Sequence, residues 1–583
     1  MKSCLSLVLV LLTTAVALPR TGAAPAAPDD RSVRQELVQA MLARGAARQQ
    51  LLAELGESGS RTARDALTAW TREEVYLYTP PGASPVPITL EDQQDADGKS
   101  RAFRIDTGAP LHDASGRVLK FTSDDLPSVD VDMRLRSTIQ QALDMLSLTD
   151  PDPEARKSAI IKLGNSGKLQ YVPILEHRLA KEPVGSVRKS IREAVALLRL
   201  NSADPKEQIA GCDELGRLES IGARDNLHRL LERANVAPSV RASAKRALHA
   251  IDGHVAVVDF FGTLFRGVSL GSILLVVALG LAITFGLMGV INMAHGEMIA
   301  VGAYTCYVVQ NLFGTGFGFA ITLPFSFGGH PISFGLHLPG LNATGWLYQS
   351  YFIFALPLSF VSAALVGAAL ERCVIRFLYR RPLESLLATW GVSLVLQQVF
   401  RMVFGANNVQ VNSPGWLLGH FTINDVLLGY NRVFVIVFAV AIVIGTSLLL
   451  TKTPLGLLIR AVMQNRGMAA CMGVRTERVN LLTFAFGSGL AGLAGAFLSQ
   501  IGNVGPSLGQ NYIVDSFMVV VVGGVGSIVG TVWSALGMGT ADQILQQVLG
   551  SPVMGKIIVL TAVILFLQWK PSGLFATRTR NLD

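Results

Sequence analysis

From Val268 to Trp569 the sequence carries eight apolar runs, a series that a water-soluble core does not accommodate. Crossing about 30 Å of hydrocarbon takes roughly 20 apolar residues in a helix, because every backbone polar group must be satisfied within the segment. The runs are Val268–Ile291, Met298–Leu312, Phe352–Leu370, Leu386–Phe404, Val433–Leu450, Leu481–Ile501, Phe517–Met538 and Ile557–Trp569. The spacing predicts a mainly α, polytopic membrane protein of eight or nine spans, occupying about 265–575. Residues up to about Ile251 are instead rich in Arg, Asp, Glu and Gln, so two physical regimes share one chain.

The first residues address the chain to the membrane. Lys2, the apolar stretch Leu5–Leu12 and the small-residue pattern Ala15-Val16-Ala17 read as a secretory signal peptide within 1–24, too short to span stably. An exported N-terminus makes the first span run outside to inside. The loops Glu371–Glu384 and Thr451–Asn480 then fall inside, and they hold Arg372, Arg376, Arg380, Arg381, Lys452, Arg460, Arg466, Arg475 and Arg478. The outer loop Phe313–Ser350 has no Lys or Arg, so the charge bias agrees with the export signal. Eight spans would leave the tail outside, against the charges of Lys570, Arg578 and Arg580. Splitting Tyr512–Leu549 at Gly523-Gly524-Val525-Gly526 gives a ninth crossing and an inside tail.

Between signal and membrane core lies an exported region, 25–150, followed by a repeat domain, 151–255. After the Pro/Ala-rich linker Pro19–Pro28, Val33–Leu55 has apolar residues at helical spacing. Short alternating pieces such as Val75-Tyr76-Leu77-Tyr78, set between Pro, Gly and Asp clusters, predict a small strand-containing insert within Glu74–Phe121. Asp152-Pro153 recurs as Asp204-Pro205, Leu163-Gly164 as Leu215-Gly216, and Leu175 and Leu179 as Leu227 and Leu231, each 52 positions on. Val187-Arg188 recurs as Val240-Arg241 at 53. Such a period marks stacked helical units, and the pattern resembles HEAT-type repeats, either a binding surface or a spacer.

Several functions are disfavoured. The formal charge of +8 does not imply nucleic acid, because many Arg flank apolar spans rather than gathering on a folded face. Cys4, Cys212, Cys306, Cys373 and Cys471 show no metal-ligand spacing, and Cys212 stands alone in the exported part. No Ser/His/Asp or paired-carboxylate arrangement suggests an enzyme, and no cofactor is expected. Gly98-Lys99-Ser100 resembles the end of a phosphate-binding loop, but Gln93 stands where that loop requires Gly. Any ATP driving this chain binds a partner.

Three stretches are candidates for function. The inside loop Thr453-Pro454-Leu455-Gly456, Arg460-Ala461, Asn465-Arg466, Ala469-Ala470 and Gly473-Val474 has apolar residues at helical spacing, and predicts a short amphipathic helix outside the bilayer. That helix either docks on a partner or is a basic loop fixing topology. Asn292, His295 and Glu297 stand in a break between two apolar runs; they either line a gate or substrate path, or cap and complement the next helix. Gly523, Gly524 and Gly526, within the segment ending at Gly530, either line the pathway or permit close helix packing.

These pieces, with Gly302-Ala303-Tyr304, Gly391-Val392-Ser393, Leu396-Gln397 and Lys570-Pro571-Ser572-Gly573-Leu574-Phe575, recur in order over roughly 300 residues. Together with Gly289–Glu297 they resemble the branched-chain amino acid and urea permease family of ABC importers. The resemblance implies that Arg460–Gly473 is the coupling helix, seated on a separate ATPase subunit. It also implies a second permease subunit and an extracytoplasmic solute-binding protein, in a bacterial cytoplasmic membrane. The importer pattern Glu-Ala-Ala with a later Gly is altered, since Met468 replaces the Glu and two residues separate Ala470 from Gly473. Long exported extensions look like the urea-type permeases, so urea is the expected solute, with branched-chain amino acids as the alternative. A membrane-anchored ligand receptor is the competing class.

Overall fold

The structure is a computed structural model that describes residues 30–80, 85–95, 99–112, 116–122, 125–129, 131–234, 236–289, 292–327, 330–378 and 381–575. The expected signal peptide, Arg578 and Arg580 lie outside the described residues. The chain divides into two compact units, Met1–Val255 and Ala256–Asp583.

In the first unit, α1 (Asp30–Leu42), α2 (Ala46–Glu57), α3 (Arg61–Thr71) and α4 (Met133–Leu148) close around Leu37, Leu52, Leu55, Leu67, Trp70 and Ile139. The expected Val33–Leu55 helix is therefore two helices, divided where Gly45 adopts a positive φ of 67° that most L-residues avoid. An antiparallel sheet of order β1-β2-β3-β4 follows: Val75–Tyr78, Val86–Gln94, Ser100–Arg104 and Lys120–Phe121. Ser100 pairs with Phe121, and Lys99 N–H donates to Asp95, so this stretch belongs to a β-hairpin and opens no helix; Gly98 lies outside the described residues.

Two similar helical units come next. The first comprises α5 (Pro153–Asn165), α6 (Val172–Lys181) and α7 (Gly185–Arg199); the second comprises α8 (Pro205–Leu218), α9 (Arg224–Glu232) and the beginning of α10 (Pro238–Met288). Asp152 and Asp204 are the N-caps of α5 and α8, accepting from Glu154 N–H and Lys206 N–H. The proline after each suits the first helical position, where no N–H is needed. Gly164 lies against Ala194 and Gly216 against Ala247, so the same close approach recurs in both units. The polar residues Arg156 and Glu182 are buried together in the first.

The second unit is a helical bundle: α11 (His295–Phe313), α12 (Gly345–Gln349), α13 (Tyr351–Cys373), α14 (Pro382–Phe404), α15 (Tyr430–Lys452), α16 (Pro454–Gln464), α17 (Arg466–Cys471), α18 (Thr476–Ser499), α19 (Leu508–Gly523), α20 (Ile528–Leu549) and α21 (Pro552–Trp569). Antiparallel hairpins β5–β6 (Gly316–Phe327, His330–Pro339) and β7–β8 (His420–Ile423, Val426–Gly429) sit in the loops after α11 and α14. Among the described residues, six helical stretches are long and apolar enough to cross a membrane. The apolar windows of α10 and α18 are 83% and 72% buried while those of α14, α15 and α21 are 17–22% buried, which makes the former central and the latter peripheral.

Two expected spans are corrected. Val268–Ile291 is the last part of the longer α10, which ends at Met288, before Gly289 at φ 65°. Phe517–Met538 is not one helix: α19 and α20 are separate, joined by a turn in which Gly524 and Gly526 have φ of 97° and 78°, and Ser527 Oγ caps the second by accepting Gly530 N–H. Small residues bring the central backbones together. Gly302 faces Gly492, Gly495 faces Ile299, Gly280 faces Gly487, and Gly296 faces Gly509, each so close that a Cβ would strike backbone.

Candidate functional site

A polar cluster lies at the half-length of α14 and α18. After α10 ends, Asn292 Oδ1 accepts Ala294 N–H (3.0 Å), and the Met293 N–H donates to Thr389 Oγ1 (3.2 Å), tying the start of α11 to α14. His295 does not cap the helix. Its ring is fully buried beside the backbone of Val277 and Gly280, and neither nitrogen makes a hydrogen bond of ordinary geometry. Glu297 is likewise fully buried in the first turn, where the helix end favours negative charge. Ser393 Oγ and Gln397 Nε2 donate to its Oε1 at 2.8 and 2.9 Å, whereas Oε2 has no hydrogen-bond partner.

Ser393 is the twelfth residue of the 23-residue α14, and Gly487, which meets Gly280 beside His295, is the twelfth of the 24-residue α18. The cluster thus sits midway along helices of membrane-spanning length. Burying polar groups there is costly unless they are bonded, so an oxygen without a donor is notable. Two helical turns beyond Glu297 along α11, the Tyr304 hydroxyl also has no hydrogen-bond partner, while its ring stacks on Phe404 (4.1 Å between centroids).

The sequence reading singled out Glu297 as a site candidate, whereas its partners on α14, Ser393 and Gln397, entered only among the pieces carrying the family resemblance. Ser385, Thr389, Ser393 and Gln397 are all buried and repeat every four residues, marking one polar stripe on an otherwise apolar helix. That spacing was the available signal. What the stripe faces is set by tertiary packing.

At one end of the bundle lie the residues of the expected coupling segment. It forms two helices rather than one. Arg460 and Ala461 are exposed on α16, whose start is capped by Thr453 Oγ1 accepting Gly456 N–H. Asn465 breaks the segment by leaving helical geometry, and its Oδ1 caps α17 by accepting Met468 N–H (2.8 Å). Arg466 and Ala470 are exposed on α17, while Ala469 is buried against Ile459, Val462 and Val479. Gly473, at φ 83°, ends the pair, with Val474 N–H donating to the Ala469 carbonyl.

The loop between α13 and α14 joins this end through the Arg376–Glu477 ion pair (3.0 Å). Arg376, Arg381 and Arg466, with the exposed Phe377, line a cleft of about 730 Å³. The two basic loops read from sequence therefore lie on the same side.

The glycine run also reaches this end. Gly526 packs near the methyl of Met463 on α16, and both glycine neighbours meet the last described segment: Leu574 N–H donates to Val522 O (2.8 Å), and Phe575 N–H to Gly523 O (3.3 Å). Gly523 and Gly530 pack backbone against backbone, and Ser534 Oγ donates to Val519 O across the α19–α20 pair. Gly523, Gly524 and Gly526 thus form a helix-to-helix turn, and the structure does not bring them to Asn292, His295 and Glu297. Among the described residues no group of three His, Cys, Asp or Glu side chains is placed to hold a metal.

A family model described as the branched-chain amino acid transport system permease component matches residues 263–567, just over half of the chain. The high-affinity branched-chain amino acid transport system permease protein LivH of Escherichia coli (strain K12) is 26% identical over 324 residues, covering 54% of this chain and 95% of LivH. The corresponding protein BraD of Pseudomonas aeruginosa is 25% identical over 323 residues, covering 54% and 96%. A probable LivH of Methanocaldococcus jannaschii is 27% identical over 327 residues, covering 53% and 91%. No solved structure gives a significant match.

Proposed function

Because the chain belongs to the family of permease components of branched-chain amino acid ABC importers, we propose that it forms one wall of the import pathway and that its solute is urea. The observation that carries the permease reading is the family match over a bundle in which the short, exposed, Arg-bearing pair α16–α17 stands between the membrane-length helices α15 and α18. In this reading the chain crosses the bacterial cytoplasmic membrane nine times: through α10, α13, α14, α15, α18 and α21, each long and apolar enough, and through α11, α19 and α20 together with the segments that join them. The end carrying α16, α17, Arg376 and the segment 570–575 faces the cytoplasm, which also suits the charge of Lys570. Residues 25–255, exported behind a signal peptide, form an extracytoplasmic domain whose paired helices we read as HEAT-like.

Arg460, Ala461, Asn465, Arg466, Ala469, Ala470 and Gly473 form the seat of an ATPase subunit. Hydrolysis belongs to that partner, and a second permease subunit and a solute-binding protein complete the importer. Asn292, His295 and Glu297 are the gate, placed where α11 starts at mid-length of its neighbours. Gly523, Gly524 and Gly526 serve helix packing at the cytoplasmic end.

Two observations support urea. The matched part of the chain begins at 263, so the helical domain before it is an addition to the LivH-like core. The polar groups gathered with Glu297, namely Tyr304, Ser393 and Gln397, include no Lys or Arg to hold the carboxylate of an amino acid, yet offer acceptors and donors to a neutral, compact solute. Branched-chain amino acids are the second reading, favoured by the names of the relatives and by the N-terminus of α11, whose N–H groups suit a carboxylate. The test is uptake of labelled urea and labelled leucine in a strain lacking the chain, with and without its return. Restored urea uptake supports the proposal; restored leucine uptake alone transfers the assignment to amino acids.

A further inference from the structure

At the end of the bundle far from α17, four helices and a loop converge on Gln500, the residue that follows α18. Tyr351, at the start of α13, donates its only hydroxyl proton to the Asn412 carbonyl (2.6 Å). It therefore meets Gln500 as an acceptor, and Gln500 must present Nε2 (3.3 Å) rather than Oε1. The same nitrogen lies 3.3 Å from Ser499 Oγ and 3.8 Å from Cys306 Sγ of α11. The Gln500 backbone carbonyl accepts from Asn431 Nδ2 at the start of α15 (3.2 Å). These contacts fix the amide, leaving Oε1 turned away, buried and without a donor, on a residue only 6% exposed.

Beside it lies a cavity of about 350 Å³, lined among others by Gln410, Asn412, Ser413, Ser499, Gln500 and Asn503. No Asp, Glu, Lys or Arg lines it. We propose that this cavity is an outer solute site that accepts small neutral molecules bearing N–H donors and a carbonyl, such as urea, before they reach the gate. Amide and hydroxyl side chains both donate and accept, so such a solute exchanges its water for equivalent partners. An ion or zwitterion would leave water and find no counter-charge, which is the costly case. The site rests on the permease reading and narrows it to neutral solutes.

Asn503 is exposed and makes no hydrogen bond among the described residues, so it offers a reporter position. Asn503→Cys, in the full transporter in sealed right-side-out vesicles, is alkylated with a membrane-impermeant maleimide while urea or leucine is added. Urea should slow alkylation to a plateau, leucine should not, and Gln500→Leu in the same background should abolish the protection. Gln410→Leu serves if the Gln500 variant fails to assemble, and should weaken protection. A cysteine unreachable from outside, protection absent or rising without a plateau, or equal protection by leucine overturns the proposal. Labelled-urea uptake by the unaltered transporter is read separately: uptake without protection removes the outer site alone, and protection without uptake removes the urea-import assignment alone.

Discussion

Gly302→Ala tests whether the central helices touch through their backbones. A Cβ at Gly302 would lie 2.5 Å from both Cα and the carbonyl carbon of Gly492, and closer still to its oxygen. Backbone atoms cannot rotate aside, and ordinary contact begins at 3.4 Å, so α11 and α18 must part by about 1 Å, an over-packing that costs about 1–3 kcal/mol. The Gly302 carbonyl also accepts from Ser359 Oγ of α13 (2.9 Å), and straining that buried bond adds about 1 kcal/mol. The total is on the order of 3 kcal/mol. Gly445→Ala in α15 is the matched control, because a Cβ there meets nothing within 4 Å and alanine's helix propensity favours the helix by about 1 kcal/mol. Thermal melting of the purified full chain in detergent should show Gly302→Ala well below the parent and Gly445→Ala equal to it or higher. A Gly302→Ala protein that melts with the parent refutes the close seam.

Acid should destabilise the first unit through Glu182. Burial pushes this carboxyl upward, but bonds from Arg156 and Val184 N–H, with the charges of Arg156 and Arg178, outweigh burial and hold it below its ordinary 4.5. A lowered carboxylate pKa adds stability that is present above 4.5 and fades as pH falls below it. The melting midpoint of the full chain should drop across that acidic range, and Glu182→Gln should flatten the drop. At neutral pH, Glu182→Ala leaves Arg156 buried without its partner, which should cost about 3–5 kcal/mol in denaturant titration. Arg466→Glu reverses charge in the cleft shared with Arg376 and Arg381, and should impair uptake at unchanged membrane abundance; normal uptake would remove the case for docking there.

Much of the membrane unit was legible because hydrocarbon thickness imposes a length on each apolar run, and α13, α14, α15 and α18 fall close to the runs that forecast them. The failures share a cause. Positive-φ glycines end helices within stretches whose hydropathy continues unbroken, as at Gly524, and Asn465 divides α16 from α17 within a segment whose apolar residues keep a helical spacing. Hydropathy does not register a turn made of small or capping residues. In the buried polar cluster, Asn292, His295 and Glu297 were conspicuous because ionisable groups are rare in such surroundings, yet nothing marks Ser393 and Gln397 as partners of Glu297 until packing sets them against it. Gln500 was not singled out, since its meaning depends on Tyr351 having already committed its proton to Asn412.

The glycine contacts between α11 and α18 bear on motion as well as adhesion. Where Gly302 meets Gly492 and Gly495 meets Ile299, no side chain from these glycines reaches across, so at these two points one rod moving lengthwise over the other meets backbone alone. A joint of that kind resists being pried open yet yields to slip. Axial sliding of a few tenths of an ångström is the deformation it permits at least cost, and it would carry His295 and Glu297, at the near end of α11, along with it.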